Sequence, residues 1–302
     1  MSMQSTALGG FAVRPLEGRV ALVTGAGAGL GRTHALELAR LGAAVVVEDL
    51  HREAADAVAA EITAGGGRAI GLPGDVSDWS TAESLVAAAI DTFGGLDVLV
   101  NNAGNSRPAM SFSMSEEAWD SVIRTHLKGT FAPTRFAAAY WREQAKAGRP
   151  RVATVVNTSA GNGLDGGDPG HVNYSVAKTG INTMTTALSR ELAPYGVRVN
   201  AIAPLAYTNM TRPLWGTDLL PDERPPELEP ESVSAVVGWL ASPASDPVTG
   251  QVLAVSGSRC VLWRRWTPEA EVTTEGAWTF DSIAAAAPAL FAAAGGGHGS
   301  GQ

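Results

Sequence analysis

The sequence predicts an α/β fold: a single doubly wound domain with a seven-stranded parallel sheet and helices on both faces. Two observations lead there. Short apolar, β-branched runs alternate with longer Ala- and Leu-rich amphipathic stretches, the pattern of βαβ units. The first of these runs ends in a glycine-rich turn that opens directly into a helical stretch.

The elements follow in order. Strands are expected at Arg19–Thr24, Ala43–Glu48, Ala69–Pro73, Leu96–Asn101, Val152–Asn157, Val197–Ala203 and Gln251–Val255. Helices are expected at Leu30–Leu41, Arg52–Ala64, Ser80–Phe93, a bent Glu116–Gln144, Tyr174–Tyr195 and Pro230–Ala241. Residues 1–17 read as a loose N-terminal arm and 18–260 as the domain. Residues 205–230 hold the prolines 213, 221, 225, 226 and 230, directly after Pro204, and read as a lid or binding loop. Residues 261–302 read as a C-terminal extension, flexible from about 293 because the chain there is mostly Ala and Gly.

Bulk composition narrows the function. With 45% hydrophobic and 17% charged residues, the 302-residue chain can bury an ordinary core. A net charge of -8 argues against nucleic acid or an anionic membrane surface as the main partner. It does not argue against a small anionic cofactor, which a few backbone N–H groups can hold. Cys260 is the only cysteine, so no intramolecular disulfide can form. The N-terminal stretch lacks a signal-peptide pattern, and no apolar run reaches about 18 residues. A cytoplasmic protein is expected, and no metal site is called for.

The turn after the first strand reads TGAGAGLG, with Gly25, Gly29, Leu30 and Gly31 expected against a dinucleotide. Glycine is needed because a Cβ would hold the backbone off the pyrophosphate, which sits on free N–H groups at a helix start. Asp49, 24 residues beyond Gly25, stands at the tip of the second strand. A carboxylate there accepts hydrogen bonds from ribose hydroxyls and repels a 2′-phosphate, so NAD is expected rather than NADP. Asp75-Val76 and Asn102-Ala103-Gly104 follow the third and fourth strands and are expected beside the adenine and the central sheet. Together these motifs specify a Rossmann-type domain.

Tyr174 and Lys178 lie four residues apart at the start of a helix, on one face. A phenol titrates near pH 10, but a neighbouring ammonium and a positive nicotinamide favour phenolate, which can take the proton of an alcohol.

The chain resembles the short-chain dehydrogenase/reductase family over roughly residues 16 to 260. The resemblance rests on TGAGAGLG at 24–31, Asp49, Asp75, NNAG at 101–104, YSVAK at 174–178 and Asn200-Ala201-Ile202-Ala203-Pro204. It implies Tyr174 as acid/base, Lys178 on the nicotinamide ribose, Pro204 among the cofactor contacts, and a homodimer or homotetramer. It also implies a serine holding the substrate oxygen and an asparagine completing a proton relay, and here the chain departs twice. His126 stands where the relay asparagine is expected, and two ring nitrogens allow a relay with its own pH dependence. The usual serine spacing, 13 residues before Tyr174, falls on Gly161; alignment on NTSAGNGL falls on Ala160, one step from Ser159. Ser159 is taken as the candidate, with Thr158, Asn162 and His171 as alternative donors.

Within the family the chain is similar to the hydroxyacyl-CoA dehydrogenase domain of peroxisomal multifunctional enzymes and to bacterial relatives. That similarity rests on His126, the run Ala203–Thr211 and Trp263-Arg264-Arg265-Trp266. It implies oxidation of a hydroxyacyl-CoA or a hydroxysteroid. Leu205, Tyr207, Met210, Leu214, Trp215, Leu219 and Leu220 give the lid apolar surface, and Arg212 or Arg224 is placed to meet a CoA phosphate. The alternatives are an NADPH-dependent ketone reductase and a non-catalytic dinucleotide-binding subunit.

Overall fold

The computed structural model describes residues 14–208, 210–212, 228–264 and 267–293. Eight strands form one sheet in the order β3-β2-β1-β4-β5-β6-β7-β8. They are β1 Val20–Val23, β2 Ala44–Asp49, β3 Arg68–Pro73, β4 Val98–Asn101, β5 Ala153–Thr158, β6 Val197–Pro204, β7 Val252–Ser256 and β8 Arg259–Trp263. The first seven are parallel, as expected. The eighth is a correction: β8 runs antiparallel to β7, pairing Ser256 with Arg259 and Val252 with Trp263. Gly257 and Ser258 make the two-residue hairpin turn, with Gly257 at φ 51°.

The helices are α1 Gly29–Arg40, α2 Arg52–Ala64, α3 Trp79–Phe93, α4 Glu116–Ile123, α5 Gly129–Lys146, the single turn α6 Asn162–Asp165, α7 Val172–Glu191, α8 Pro230–Ala241 and α9 Phe280–Ala293. One face of the sheet buries Leu38 of α1, Val58 and Ile62 of α2, and Val233, Val237 and Leu240 of α8. The other buries Leu85 and Val86 of α3, Phe136 and Trp141 of α5, and Leu188 of α7. Each such side chain withdrawn from water contributes about 1.5–3 kcal/mol before entropy is counted. Because both faces are covered, the central strands read as unbroken apolar runs; VALV of β1 is buried at every position.

The bend expected in the fourth helix is a π-helical turn, Arg124–Lys128, between α4 and α5. Such turns are rare and concentrate at functional sites. The N-terminal boundary shifts: Leu16 is fully buried in the core and its N–H donates to Leu41 O at 3.0 Å, so residues 14–17 belong to the domain body. Residues 1–13 lie outside the described residues. The C-terminal boundary shifts as well, with the first compact unit ending at Trp263 and a second beginning at Arg264. That second unit contains α9, a helix the sequence reading did not place. Its expected flexible tail from about 293 lies essentially outside the described residues, as do Asn209 and residues 213–227 of the expected lid. Among the described residues no helix is long and apolar enough to cross a membrane.

Strand order reverses between β1 and β4, which are neighbours in the sheet. The carboxyl ends of strands flanking such a reversal leave a crevice, and the site lies there.

Candidate active site

The crevice begins at the glycine turn. Asn102 Nδ2 donates to Thr24 O at 3.0 Å and to Gly25 O at 3.1 Å, while Thr24 Oγ1 accepts from the N–H groups of Asn102 (3.0 Å) and Ala103 (3.1 Å). These bonds tie the ends of β1 and β4 together. Gly25 has φ 59°, and a Cβ there would stand 2.7 Å from Ala103 Cα. Ala28, the residue before α1, makes no side-chain cap, so the first N–H groups of α1 have no side-chain partner from it. A glycine cradle over an uncapped helix start suits a phosphate.

Two carboxylates brace this turn. Asp49 Oδ2 accepts from Gly27 N at 3.0 Å and its Oδ1 from His51 N at 3.1 Å. Glu48, which sequence reasoning missed, is buried behind the turn and accepts from Gly25 N at 3.0 Å. Burial pushes the Glu48 carboxyl up to about 8; the Gly25 N–H opposes this, and the nearby charges of Asp49 and Asp75 add to it. Its place after four consecutive apolar residues was the available signal, since a carboxyl in that position must be buried.

A cleft of about 280 Å³ collects most of the expected cofactor residues: Gly25, Gly29, Leu30, Gly31, Asp49, Asn102, Gly104, Tyr174, Lys178 and Pro204. Three others stand off it. Ala103 packs behind Gly25, where only its backbone takes part. Asp75 is engaged by Ser77 N (2.8 Å) and Ser77 Oγ (2.6 Å), with Arg124 3.5 Å away, and Val76 is buried in the core. The turn after β3 thus uses these two residues for its own structure.

α7 presents Tyr174 and Lys178 on one side: Lys178 Nζ lies 5.4 Å from the Tyr174 ring centroid and donates to Thr158 O at 2.7 Å. Lys178 is only 3% exposed, and burial lowers its pKa to about 7. Burial raises Tyr174 to about 12. The expected lowering of the phenol also draws on the positive nicotinamide; among the chain's own groups, burial disfavours the charged form of both side chains.

His126 sits in the π-helical turn, its ring edge-on to Tyr174 with centroids 5.2 Å apart and planes at 89°. Its Nε2 lies 2.8 Å from Asn105 O and 3.2 Å from Asn105 N, while Nδ1 has no partner. The shorter contact assigns the proton to Nε2. Burial, aided by the Lys178 charge, lowers His126 to about 3, so it is neutral at physiological pH and adds no titration there. Its visible work is to hold Asn105, whose Nδ2 donates to Ser121 Oγ (2.9 Å) and Thr125 Oγ1 (3.1 Å).

Ser159 is 1% exposed, and its hydroxyl donates to Lys178 O at 3.3 Å, toward the α7 backbone. A second cleft of about 980 Å³ adjoins the first. The two share Ala160, Tyr174, Pro204, Met210 and Thr211. Ser159 lines the smaller cleft with Tyr174 and Lys178, and Ala160 lies on the wall common to both. Of the alternatives, Thr158 lines the smaller cleft, with Oγ1 unpartnered; Asn162 and His171 line the larger. Sequence reasoning also missed Asn173, fully buried, which donates to Arg107 O (3.0 Å) and Ala118 O (3.2 Å) and accepts from Tyr174 N (2.8 Å). It fixes the start of α7 against the loop that walls the larger cleft.

A phosphate cradle at a strand-order reversal, beside a buried tyrosine–lysine pair, defines a dinucleotide-dependent oxidoreductase site. The comparisons give the family. The profile described as short chain dehydrogenase matches residues 19–218. The chain is 46% identical over 257 residues to hydroxyacyl-CoA dehydrogenase ChsB1 of Mycobacterium tuberculosis, covering 82% of this chain and 80% of that protein. It is 37% identical over 260 residues to 3-oxoacyl-[acyl-carrier-protein] reductase FabG of Thermotoga maritima, covering 80% and 98% respectively. A crystal structure of a short chain dehydrogenase from Mycobacterium avium superposes with a TM-score of 0.83 at 41% identity, covering 92% of this chain and 95% of that one. The chain belongs to the short-chain dehydrogenase family and is an oxidoreductase that uses a nicotinamide dinucleotide.

Proposed function

We propose that this protein interconverts a secondary alcohol and a ketone with NAD, on a bulky apolar substrate such as a 3-hydroxyacyl-CoA or a hydroxysteroid. The observation that carries the reading is the position of Tyr174, on the wall shared by the two clefts with Lys178 Nζ 5.4 Å from its ring. When bound, the nicotinamide supplies the hydride acceptor and, in its oxidised form, a positive ring. The chain's own groups do the rest. As phenolate, Tyr174 Oη takes the alcohol proton; Lys178, held on Thr158 O, favours that phenolate in its ammonium form; His126 and Asn173 position Tyr174 and the neighbouring loop.

The larger cleft suits an apolar substrate, with Leu164, Leu205, Met210, Val261 and Trp263 in its lining. Arg107 and Arg259 line it too, and offer positive charge to a phosphorylated thioester. Of the two arginines expected to meet a CoA phosphate, Arg212 does not line this cleft and Arg224 lies outside the described residues. The M. tuberculosis relative, named a hydroxyacyl-CoA dehydrogenase, supports the thioester reading. The family and the single cysteine are consistent with a cytoplasmic homo-oligomer.

Asp49 supports NAD over NADP, because its carboxylate faces the cofactor cleft where a 2′-phosphate would meet it. The FabG relative, named a reductase, motivates the comparison. Titration by protein fluorescence is expected to show tighter binding of NAD. Asp49→Ala should weaken NAD about 10- to 100-fold, the worth of hydrogen bonds to a charged group, and narrow the gap to NADP. Equal wild-type affinities for the two cofactors would overturn the assignment.

A further inference from the structure

We infer that His171 is a catalytic residue whose imidazole N–H holds the substrate oxygen beside Tyr174, the role expected of Ser159. This rests on the alcohol–ketone reading above.

Ser159 lines the smaller cleft, but its hydroxyl donates to Lys178 O at 3.3 Å, and the next residue, Ala160 on the wall common to both clefts, has a methyl that offers no hydrogen bond. An oxygen that gains negative charge as its proton leaves needs a donor in that region. His171 lines the larger cleft together with Tyr174 and stands three residues before it, at the entry to α7. The backbone holds it there: His171 O accepts from Ser175 N at 2.8 Å, and Gly170 O accepts from Ala109 N at 2.9 Å.

Among the described residues neither ring nitrogen of His171 makes a hydrogen bond, and Nδ1 is buried without a partner. Nδ1 is shut off from the cleft and cannot itself meet a ligand, so with the proton on Nε2 that nitrogen is the ring's available donor. A neutral imidazole carries one N–H and one acceptor, and nothing in the protein ties up the donor. In the oxidation the alcohol O–H proton passes to Tyr174 and the C–H hydride to the nicotinamide, while His171 keeps its proton throughout. Asn162 shares the lining, while Thr158, whose Oγ1 is also unpartnered, and Ser159 line the smaller cleft; these are the rival donors.

The test is oxidation of a 3-hydroxyacyl-CoA with NAD, alongside NAD titration of each variant. His171→Ala is expected to lower kcat about 100-fold or more, with NAD affinity within a factor of three, by analogy with loss of one oxyanion donor. His171→Gln, which keeps an N–H, should retain activity within about tenfold of wild type. Ala160→Ser in the His171→Ala background should recover at least tenfold, which repair of a merely structural defect would not do. Unchanged kcat in His171→Ala would overturn the inference. So would a loss confined to Asn162→Ala, or a loss in Ser159→Ala or Thr158→Val as large as that in His171→Ala. A wild-type chain inactive on every alcohol offered would overturn the functional reading as well, whereas an active wild type with an unaffected His171→Ala overturns this inference alone.

Discussion

Tyr174→Phe is expected to lower kcat by about 10²–10⁴ while leaving the NAD dissociation constant within a few-fold of wild type. The magnitude is that of losing a positioned general acid or base. Removing one oxygen leaves the ring in place, so its packing edge-on against His126 and the 5.4 Å approach of Lys178 Nζ survive. The cradle at Gly25–Gly31 is untouched, which is why binding and turnover should separate. Burial alone holds the phenol at about 12, so the proton acceptor depends on positive charge brought close to it. Steady-state kinetics with parallel cofactor titration checks both halves. Turnover retained in the variant would remove the proposed base.

Gly25→Ala is expected to reduce dinucleotide affinity by about 100-fold or more and to lower the melting temperature. Two effects act together. The residue has φ 59°, a conformation that costs a side-chain-bearing residue about 1 kcal/mol or more, and the new Cβ would stand 2.7 Å from the Ala103 backbone. Backbone cannot yield as a flexible side chain can, so the turn must open. Opening it strains the bonds from Gly25 N to Glu48 and from Asn102 to Gly25 O, and these hold the phosphate cradle at the end of β4. Thermal melts and cofactor titration together read the outcome. Wild-type affinity in Gly25→Ala would mean that the turn does not approach the cofactor.

Much of this was legible in one dimension. The sheet and its helices could be read because buried parallel strands are continuous apolar runs and helices repeat their apolar face, and both signals are local. That the residues of TGAGAGLG, Asp49, Tyr174 and Lys178 come together in one cleft was legible for the same reason, because their signal is spacing. What sequence left unread depends on packing. The RCVLW run of β8 is short and mostly exposed, so only the Gly257-Ser258 turn announced it. Leu16 looked like part of an arm because its burial comes from Leu41 and the core behind it. Whether Ser159 or Ala160 faces the cleft depends on how the loop from 161 to 171 folds, which spacing to Tyr174 does not fix. Spacing reveals Lys178 as a neighbour of Tyr174 but not the burial that disfavours the charged form of each. Asn173 is polar beside a motif, and its value appears only once α7, Arg107 and Ala118 come together.

The central claim is that the shared wall of the two clefts performs alcohol oxidation beside a bound nicotinamide. The most direct measurement mixes the purified chain with NAD and a 3-hydroxyacyl-CoA, then follows NADH and the thioester product together. Equal amounts of NADH and 3-oxoacyl-CoA, formed catalytically, are expected. Saturable NAD binding with no NADH from hydroxyacyl-CoAs, hydroxysteroids or simple secondary alcohols would contradict the claim.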